Sequence, residues 1–484
     1  MRRPTSRQCL FSVLLALFLA SVFAQGQVFT TLARFNSTNG AHPILMSLIQ
    51  GPDGGLYGTT VEGGNVPCGN SNGCGTVFKI GPRKGLTTVY SFCSLADCTD
   101  GGYPSAPLLL GRDGALYGTA GGGGSSFCNE SIGCGTIFKL TRSGMLTTLH
   151  TFASFAEGYS PWGGLIQGTG GEFYGTTELG GTFPCDGTFG CGTVFKITRD
   201  GVFATLHQFL GTDGAFPVGN LFEGDDGKFY GTTDGFPVSD GSVYRITPSG
   251  EVTALQLAPH HISGPDAGLA YDNAGNFYGT TYSGAVFKLT SAGHLTVLHQ
   301  FCSQQNCNGD GYQLQAPLVL GTDGNLYGTT RYGGDATCQC GTSFQITPAG
   351  VLTTLHKFTG TDGAYPMNGL VQATSGIFYG VAYAGGNQRC YGGGCGTVFS
   401  LDMGLGPFVS LVSRAGKVGE TGGILGQGFT GTTSVLVNGI PAEFTVRSDT
   451  FIQATIPVGA TTGYVTVGTP GGILTSNVPF TVIP

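Results

Sequence analysis

"LYGTT" (residues 56–60), "CGTVFKI" (74–80) and "LTTVYSF" (86–92) form a phrase that the chain repeats along most of its length. Self-similarity with a period of roughly 50 residues is typical of repeat architectures, in which each repeat is one supersecondary unit. The content of one repeat therefore decides the fold class. The tyrosine of the first element marks each copy of the phrase, at Tyr57, Tyr117, Tyr174, Tyr230, Tyr278, Tyr327 and Tyr379.

One repeat is predicted to hold four short antiparallel strands, which we name A to D. In the second copy, "APLLLG" (106–111) is strand A, and the Asp113-Gly114 turn leads into "LYGTA" (116–120) as strand B. Asp-Gly between alternating stretches favours a tight hairpin. A glycine-rich loop, "GTIFK", a "TRSG" turn and "LTTLHTF" then supply strands C and D. No helical period is present, so the predicted fold class is all-β.

Four strands per repeat indicate a β-propeller blade, and seven copies of strand C predict seven blades over residues 28–402. An additional D-type strand, "FTTLARF" (29–35), precedes the first strand A, whereas the seventh copy ends with strand C. We expect the N-terminal strand to complete the seventh blade, because this pairing closes the ring and removes two exposed sheet edges.

The two ends of the chain differ from the repeats. Residues 1–24 combine three arginines with the apolar run "CLFSVLLALFLA", which predicts a secretory signal peptide. Without them the chain keeps 18 basic and 28 acidic residues, so we expect no nucleic-acid partner. No later stretch is apolar enough to predict a transmembrane segment. Residues 406–484 show alternating strands separated by turn signals, which predicts an immunoglobulin-like sandwich.

Fourteen cysteines follow the predicted signal peptide, and they fall in local pairs within the B–C loops or after D strands. Two repeats with short B–C loops lack both cysteines, which favours disulfides that pin long loops over a metal site. The Cys338/Cys340 pair encloses one residue, so whether these two pair with each other stays open. The expected pairs are Cys68/Cys74, Cys93/Cys98, Cys128/Cys134, Cys185/Cys191, Cys302/Cys307, Cys338/Cys340 and Cys390/Cys395.

Two resemblances follow from these motifs. The recurring "LYGTT…GG…CGTVFK" and "LTTLHTF" elements resemble the Gloeobacter/Verrucomicrobia (GloVer) tandem-repeat family of exported bacterial proteins. The sequences "GQGF", "VLVNGIPAEF" and "GYVTVGTPGG" resemble an IPT/TIG domain. The resemblance to the repeat family implies export and a cell-surface location, and it implies no established activity.

The most promising site motif lies in the D–A loops, as "DGGYP", "DGAFP" and "DGAYP". Since these loops enter strand A, their carboxylates and aromatic rings are candidates for a ring at one mouth of the propeller, where they would bind sugars or a cation. The alternative is turn chemistry, with Asp-Gly capping its own turn and the aromatic residue packing on the next blade. The candidate ligand-binding residues are Asp100, Tyr103, Glu157, Tyr159, Asp213, Phe216, Asp310, Tyr312, Asp362 and Tyr365.

The sequence contains no nucleophile elbow, phosphate loop or zinc-ligand run, so we expect no catalytic residues, metal or cofactor. The resulting hypothesis is a secreted or cell-surface, non-enzymatic binding or adhesion protein that recognises carbohydrate or another surface polymer. Its binding face would be built from the D–A and B–C loops. Two alternatives remain at this point: a secreted polysaccharide hydrolase or lyase acting at the propeller mouth, and a structural surface-layer component. The oligomeric state is not predicted.

Overall fold

The computed structural model describes residues 27–483, apart from 45–46, 67–72, 82–84, 129–132, 183, 186–188, 236–240, 258–263, 266, 303–308, 388–389 and 391–392. The signal-peptide prediction for residues 1–24 falls outside this range, as do Cys68 and Cys307. Within the described residues the fold is all-β, and its one helical element is a single 3-10 turn, Ala96–Cys98.

Each of the seven repeats forms a four-stranded antiparallel sheet with the order A-B-C-D, which confirms the predicted strand content and is consistent with a β-propeller. The A strands are Ile49–Gln50, Leu109–Leu110, Ile166–Gln167, Phe222–Glu223, Ala270–Tyr271, Val319–Leu320 and Val371–Gln372. The B strands are Leu56–Thr60, Leu116–Ala120, Phe173–Thr177, Phe229–Thr233, Asn276–Thr280, Leu326–Thr330 and Phe378–Ala382.

The C strands are buried and the D strands are partly exposed, as inner and outer strands of one sheet should be. The C strands are Thr76–Ile80, Thr136–Leu140, Thr193–Ile197, Ser242–Ile246, Ala285–Thr290, Thr342–Ile346 and Thr397–Asp402. The D strands of the first six repeats are Leu86–Ser91, Leu146–Thr151, Phe203–Gln208, Val252–Leu257, Leu295–Gln300 and Leu352–Lys357. A short hairpin, Pro184–Cys185 with Phe189–Gly190, interrupts one B–C loop.

The N-terminal strand Val28–Arg34 supplies strand D of the seventh repeat. It pairs antiparallel with Thr397–Asp402, from Val28 opposite Asp402 to Arg34 opposite Thr397. The Phe29 ring lies 5.3 Å from the ring of Phe399 in the same sheet. The predicted pairing of the first strand with the last repeat is therefore confirmed.

The leucine and tyrosine of "LYGTT" pack in the core between neighbouring repeats, as the sixth repeat shows. Leu326 is fully buried. The Tyr327 ring lies 4.1 Å from the ring of Phe378 in the next repeat, and its hydroxyl donates to Asp323 Oδ2 of its own A–B turn at 2.8 Å. The tyrosine thus joins two repeats through its ring and fixes its own turn through its hydroxyl.

The other three residues of the phrase, a glycine and two threonines, meet specific steric and hydrogen-bonding requirements. A Cβ on Gly328 would lie 2.6 Å from Cζ of Phe344 in strand C, so only glycine leaves room for that ring. Thr329 Oγ1 donates to the carbonyl of Asn368, in the next repeat. Thr330 Oγ1 lies 2.9 Å from Oγ1 of the first threonine in strand C. Each position of the phrase therefore carries a packing or hydrogen-bonding role, which explains why the chain repeats it.

Neighbouring repeats are also joined near their A strands. A side-chain carboxyl or amide oxygen at the end of strand A accepts a backbone N–H from the A–B turn of the preceding repeat. This contact recurs at Arg112–Gln167, Thr169–Glu223, Thr322–Gln372 and Thr374–Gln50. The last of these joins the seventh repeat to the first, so the repeats contact one another in a closed order.

The C-terminal segment, residues 406–483, builds a separate core from two four-stranded sheets. One sheet contains Ser410–Leu411, Thr421–Leu425, Phe451–Thr455 and Phe444–Ser448, and the other contains Ile440–Pro441, Ser434–Val437, Val465–Thr469 and Gly472–Thr475. Ala415–Lys417 and Thr481–Ile483 form an additional parallel pair. Val409, Phe429, Val435, Ile452 and Val467 are buried between the sheets.

This segment lies against the A–B turns of the repeats. Ser448 Oγ and Thr450 Oγ1 donate to the Pro52 carbonyl in the first repeat at 2.9 and 2.8 Å. Gln427 Nε2 donates to Thr374 Oγ1 in the seventh repeat at 2.9 Å. Since the A–B turns lie at one end of every sheet, the C-terminal segment packs against that end of the repeat region, and turn residues such as Asp226 and Asp323 stay exposed.

Candidate functional site on the loop face

The D–A and B–C loops lie together at the end of the sheets opposite the A–B turns, and we call this end the loop face. Antiparallel bridges join one loop to the other in five repeats: Ala41–Glu62, Gly102–Gly122, Tyr159–Leu179, Tyr312–Tyr332 and Ala364–Ala384. The two loop classes therefore form one continuous surface.

Disulfides fix the loop face. Bonds join Cys93–Cys98, Cys128–Cys134, Cys185–Cys191, Cys338–Cys340 and Cys390–Cys395. Cys74 and Cys302 are also disulfide-bonded, and their expected partners lie outside the described residues. The predicted local pairing is confirmed for the five described pairs, including the Cys338/Cys340 pair that the sequence left open.

The second cysteine of each B–C pair also holds the next repeat. Its carbonyl accepts a backbone N–H from the D–A loop that follows, as in Tyr103 N to Cys74 O at 2.8 Å. The same bond recurs at Ser160–Cys134, Phe216–Cys191, Tyr365–Cys340 and His42–Cys395. A disulfide therefore positions both its own loop and the D–A loop beside it.

The acidic members of the D–A motif point to the D strands, away from the mouth. Asp100 is fully buried: its Oδ2 accepts the Tyr90 hydroxyl at 2.7 Å and the Ser94 N–H at 2.8 Å. His207 lies 2.8 Å from Asp213, His356 3.0 Å from Asp362, and His150 3.5 Å from Glu157. Burial lowers the pKa of His299, and the charge of Asp310 partly opposes this effect.

Hydrogen bonding controls the ionisation of two of these carboxylates. Burial by itself raises the pKa of Asp213 and of Asp362, but the hydrogen bonds from His207, His356 and nearby backbone N–H groups outweigh it. Both pKa values are lowered as a result. These contacts correspond to the turn-chemistry alternative, in which the carboxylates hold their own loops.

The aromatic members of the motif lie on the loop face, on the other side of the same loops. The Tyr332 ring stacks on Tyr312 at 5.3 Å and meets Tyr365 edge-on at 5.2 Å. Tyr159 meets the exposed Phe155 edge-on at 5.5 Å. Tyr103, Phe216 and Tyr365 are half-buried, whereas Tyr159 and Tyr312 are buried. The structure thus separates the aromatic half of the predicted constellation from the acidic half.

Two of the motif positions need a correction of register. The residue three positions after the acid, or after Asn39 in the first repeat, has a left-handed backbone, with φ near 55° at His42, Tyr103, Ser160, Phe216, Gln313 and Tyr365. Ser160 and Gln313 are therefore the counterparts of Tyr103, whereas Tyr159 and Tyr312 lie one residue earlier. In these two repeats the aromatic residue and the residue with the left-handed backbone are therefore different residues, and the backbone conformation decides which positions are equivalent.

A set of residues that the sequence analysis did not single out lies beside these loops. It consists of the residue that follows "GTT" in each repeat, and we call these the mouth positions: Val61, Gly121, Glu178, Asp234, Tyr282, Arg331 and Tyr383. Arg331 Nη1 donates to Gln315 Oε1 at 3.1 Å, and Gln313 Nε2 donates to the Tyr282 hydroxyl at 3.2 Å. A Cβ on Gly121 would lie 3.2 Å from Nε1 of Trp162.

The mouth position therefore borders residues that lead into a strand A: Tyr282 and Gly121 meet those of the next repeat, whereas Arg331 meets Gln315 of its own repeat. The mouth positions could have been recognised in the sequence by their variation, because a different residue type follows the nearly constant phrase in almost every copy. Variable side chains on a uniform scaffold are typical of recognition surfaces.

Two neighbouring mouth positions are carboxylates whose ionisation is disfavoured. Burial, together with the charge of Asp234, raises the pKa of Glu178 to about 7, and burial also raises the pKa of Asp234. Among the described residues, neither carboxylate has an ion-pair partner. Ionisable groups with strongly shifted pKa values, placed in a recognition surface, are typical of functional sites.

We expect Glu178→Gln to flatten the dependence of stability on pH. Between about pH 4.5 and 7 the folded protein keeps a proton that the unfolded chain releases, so the free energy of unfolding falls as pH rises. The variant should gain roughly 2 kcal/mol relative to wild type between pH 5 and pH 8. Urea unfolding across this range measures it, with Glu251→Gln on an exposed turn as control. Parallel curves for Glu178→Gln and wild type would contradict the assignment.

One group of metal-binding residue types occurs in the described part of the chain. The sulfurs of Cys74, Cys93 and Cys98 lie within 4.8 Å of one another. All three are disulfide-bonded, and cysteine binds metals as the free thiolate. These sulfurs are therefore not assigned as metal ligands. The described residues also contain no helix with the length and apolar character of a membrane span.

Comparison with known proteins gives structural similarity at low sequence identity, and no curated protein matches. A fungal alcohol oxidase of the AA5 family, in complex with copper, is 13% identical with a TM-score of 0.48, covering 94% of this chain and 98% of its own. The extracellular domain of a protein from B. thetaiotaomicron, assigned as a hybrid two-component system, is 10% identical with a TM-score of 0.47, covering 94% of this chain and 57% of its own.

A third structure, from Thermus thermophilus and assigned as an oxidoreductase (glucose dehydrogenase), is 19% identical with a TM-score of 0.39. It covers 63% of this chain and 94% of its own. The family model described as the Gloeobacter/Verrucomicrobia repeat matches residues 69–285 and 235–439, which together make up more than half of the chain. The chain therefore belongs to the Gloeobacter/Verrucomicrobia repeat family.

Proposed function

We propose that the protein is an exported, cell-surface binding protein that recognises carbohydrate or another surface polymer through its loop face. In this proposal the repeats over residues 28–402 form a seven-bladed propeller, residues 406–484 form an IPT/TIG domain, and residues 1–24 direct export. The disulfides support export, because such bonds persist in oxidising compartments. The strands "VLV" and "GYVTV", on one sheet of the C-terminal segment, support the IPT/TIG assignment.

The observation that carries the proposal is the position of exposed aromatic side chains. In the described repeat region, the aromatic residues with the greatest exposure are Phe127, Phe155 and Tyr282, at 63%, 41% and 46%. All three belong to D–A or B–C loops. The C-terminal segment packs against A–B turns at the opposite end, whereas the loop face carries these exposed rings.

The chemistry of the loop face suits sugars. Sugar rings present apolar faces that pack on aromatic rings and hydroxyls that bond to polar groups. Tyr332 and Tyr365 supply partly exposed rings that pack with the buried Tyr312, and Arg331 lies beside them with its Cζ 4.8 Å from the centre of the Tyr332 ring. Disulfides and backbone bonds between loops hold these groups in place, which lowers the entropic cost of binding.

Retention on a glycan panel tests the proposal. We expect the Tyr332→Ala/Tyr365→Ala variant to lose retention roughly tenfold, because it removes two of three packed rings. Tyr464→Ala, on the C-terminal segment, is the matched control and should bind like wild type. Asp53→Ala and Asp323→Ala, in A–B turns at the opposite end of the sheets, should alter stability without altering retention per folded molecule. Retention of no glycan by wild type would favour a structural surface-layer component and overturn the proposal.

One observation favours a second candidate, a polysaccharide hydrolase or lyase. Glu178, with a pKa of about 7, is suited to donate a proton near neutral pH, and a second carboxylate lies next to it. The glycan panel separates the two candidates. New reducing or unsaturated ends that disappear in Glu178→Gln would establish the enzyme, whereas retention without products in both proteins would establish the binder.

A further inference from the structure

A cavity of about 430 Å³ lies between the repeats and the C-terminal segment, at the end opposite the loop face. Its walls combine A strands and A–B turns of the second, third and fourth repeats with residues 411–415 and the last strand of the C-terminal segment. The volume falls within the range of small-molecule sites, which commonly form between domains. Its charged lining residues are Arg112, Glu223, Asp225 and Arg414.

Arg414 is the most distinctive group in this cavity. Its Cζ lies 5.2 Å from the centre of the Phe222 ring and 6.0 Å from that of Tyr271. Burial lowers the pKa of its guanidinium, and the charges of Asp225 and Glu223 oppose this effect. Among the described residues, no carboxylate lies within 4 Å of the Arg414 guanidinium, and its N–H groups donate no hydrogen bond. A guanidinium that rests on aromatic rings keeps the donors at its edge free.

The other charged groups in the cavity are arranged differently. Arg112 Nη2 donates to the carbonyls of Gly168 and Thr169, while its buried Nε has no partner in the described structure. Glu223 accepts the Thr169 N–H and hydroxyl, and Asp225 accepts the Tyr271 hydroxyl. Both carboxylates are therefore already hydrogen-bonded, and they retain acceptor capacity for hydroxyl groups.

We propose that this cavity binds a sugar acid of the hexuronate type, whose carboxylate pairs with Arg414 while its hydroxyls donate to Asp225 and Glu223. A planar carboxylate matches the paired donors at the guanidinium edge. The hydroxyls suit the carboxylates in the wall, which would repel a ligand made of anionic groups alone. This site lies at the opposite end of the repeats from the loop face, so it stands independently of the proposed function.

Isothermal titration of the whole mature protein with sodium D-glucuronate tests the site. We expect saturable binding that Arg414→Gln weakens at least roughly tenfold, since it removes a charge-assisted pair. Arg447→Gln, an exposed arginine on the same segment, is the matched control and should bind like wild type. Arg414→Lys keeps the charge and the aromatic contact but lacks the paired donors, so it should keep the wild-type melting temperature and bind glucuronate weakly.

Neutral D-glucose and sodium acetate complete the test, since each supplies one half of the ligand. We expect neither to bind as tightly as glucuronate. The Tyr332→Ala/Tyr365→Ala variant should bind glucuronate like wild type, which distinguishes this cavity from the loop face. Equal binding by Arg414→Gln and wild type, equal binding of glucose and glucuronate, or no binding of glucuronate to wild type at about 50 mM would each overturn the proposal.

Discussion

A chain that begins at residue 35 should melt at least roughly 10 °C below one that begins at residue 25, and it should aggregate. The deletion removes the outer strand of the seventh repeat and leaves the strand Thr397–Asp402 with an unpaired edge. It also removes Phe29, whose ring packs against Phe399, Phe358 and His356. Scanning calorimetry and light scattering measure the two effects.

A peptide with the sequence of residues 27–36 provides the control. Added to the truncated protein, it should restore part of the lost melting temperature, because a strand can add to an exposed sheet edge. A scrambled peptide of the same composition should have no effect. A truncated protein that melts like the intact one would show that the first strand contributes nothing to closure.

The strand order of the repeats could be predicted because the signals for strands and turns are local within each repeat. The Asp-Gly turns, the alternation of apolar and polar residues and the recurring phrase all lie in or next to the strands that they predict. Because the pattern occurs seven times, an irregularity in one copy does not change the prediction. The terminal pairing followed by counting strands, since one D strand was surplus at the start and one was missing at the end. The cysteine pairs were equally local.

The loop face could be predicted only in part, because the backbone separates residues that the sequence places side by side. Asp362 and Tyr365 are three residues apart, but the positive φ of Tyr365 turns the two side chains to opposite sides of the loop. Non-glycine residues rarely adopt a positive φ, so the residue type gives no indication of this conformation. The mouth positions were missed for another reason: some of their neighbours, such as Gln313 beside Tyr282 and Trp162 beside Gly121, come from the loop that leads into the following repeat.

The contact between the C-terminal segment and the A–B turns joins residues that lie even further apart in the sequence. Thr450 and Pro52 bond across nearly the whole chain, and the cavity beside Arg414 exists only because the C-terminal segment rests on the A–B turns. Docking of two preformed surfaces depends on shape and side-chain position, which a linear pattern does not carry. The A–B turns, which the sequence predicts only as tight hairpin turns, therefore also form one wall of a cavity.

Asp100→Ala should lower the free energy of unfolding by about 3 kcal/mol. The Asp100 carboxylate is fully buried and accepts three hydrogen bonds, from the Tyr90 hydroxyl and the Ser94 and Leu95 N–H groups. Removing it leaves donors inside the loop without acceptors, and an unsatisfied buried donor costs more than the bond itself contributes. Urea unfolding at pH 7 measures the loss.

Asp200→Ala, at an exposed C–D turn, is the control, and its effect should stay within about 0.5 kcal/mol. The comparison decides between the two interpretations of the D–A motif. A carboxylate that serves a ligand is expected to cost little stability when removed, because functional groups are not optimised for folding. If Asp100→Ala unfolds like wild type, Asp100 does not hold its loop, and the acidic half of the motif returns as a candidate for ligand contact.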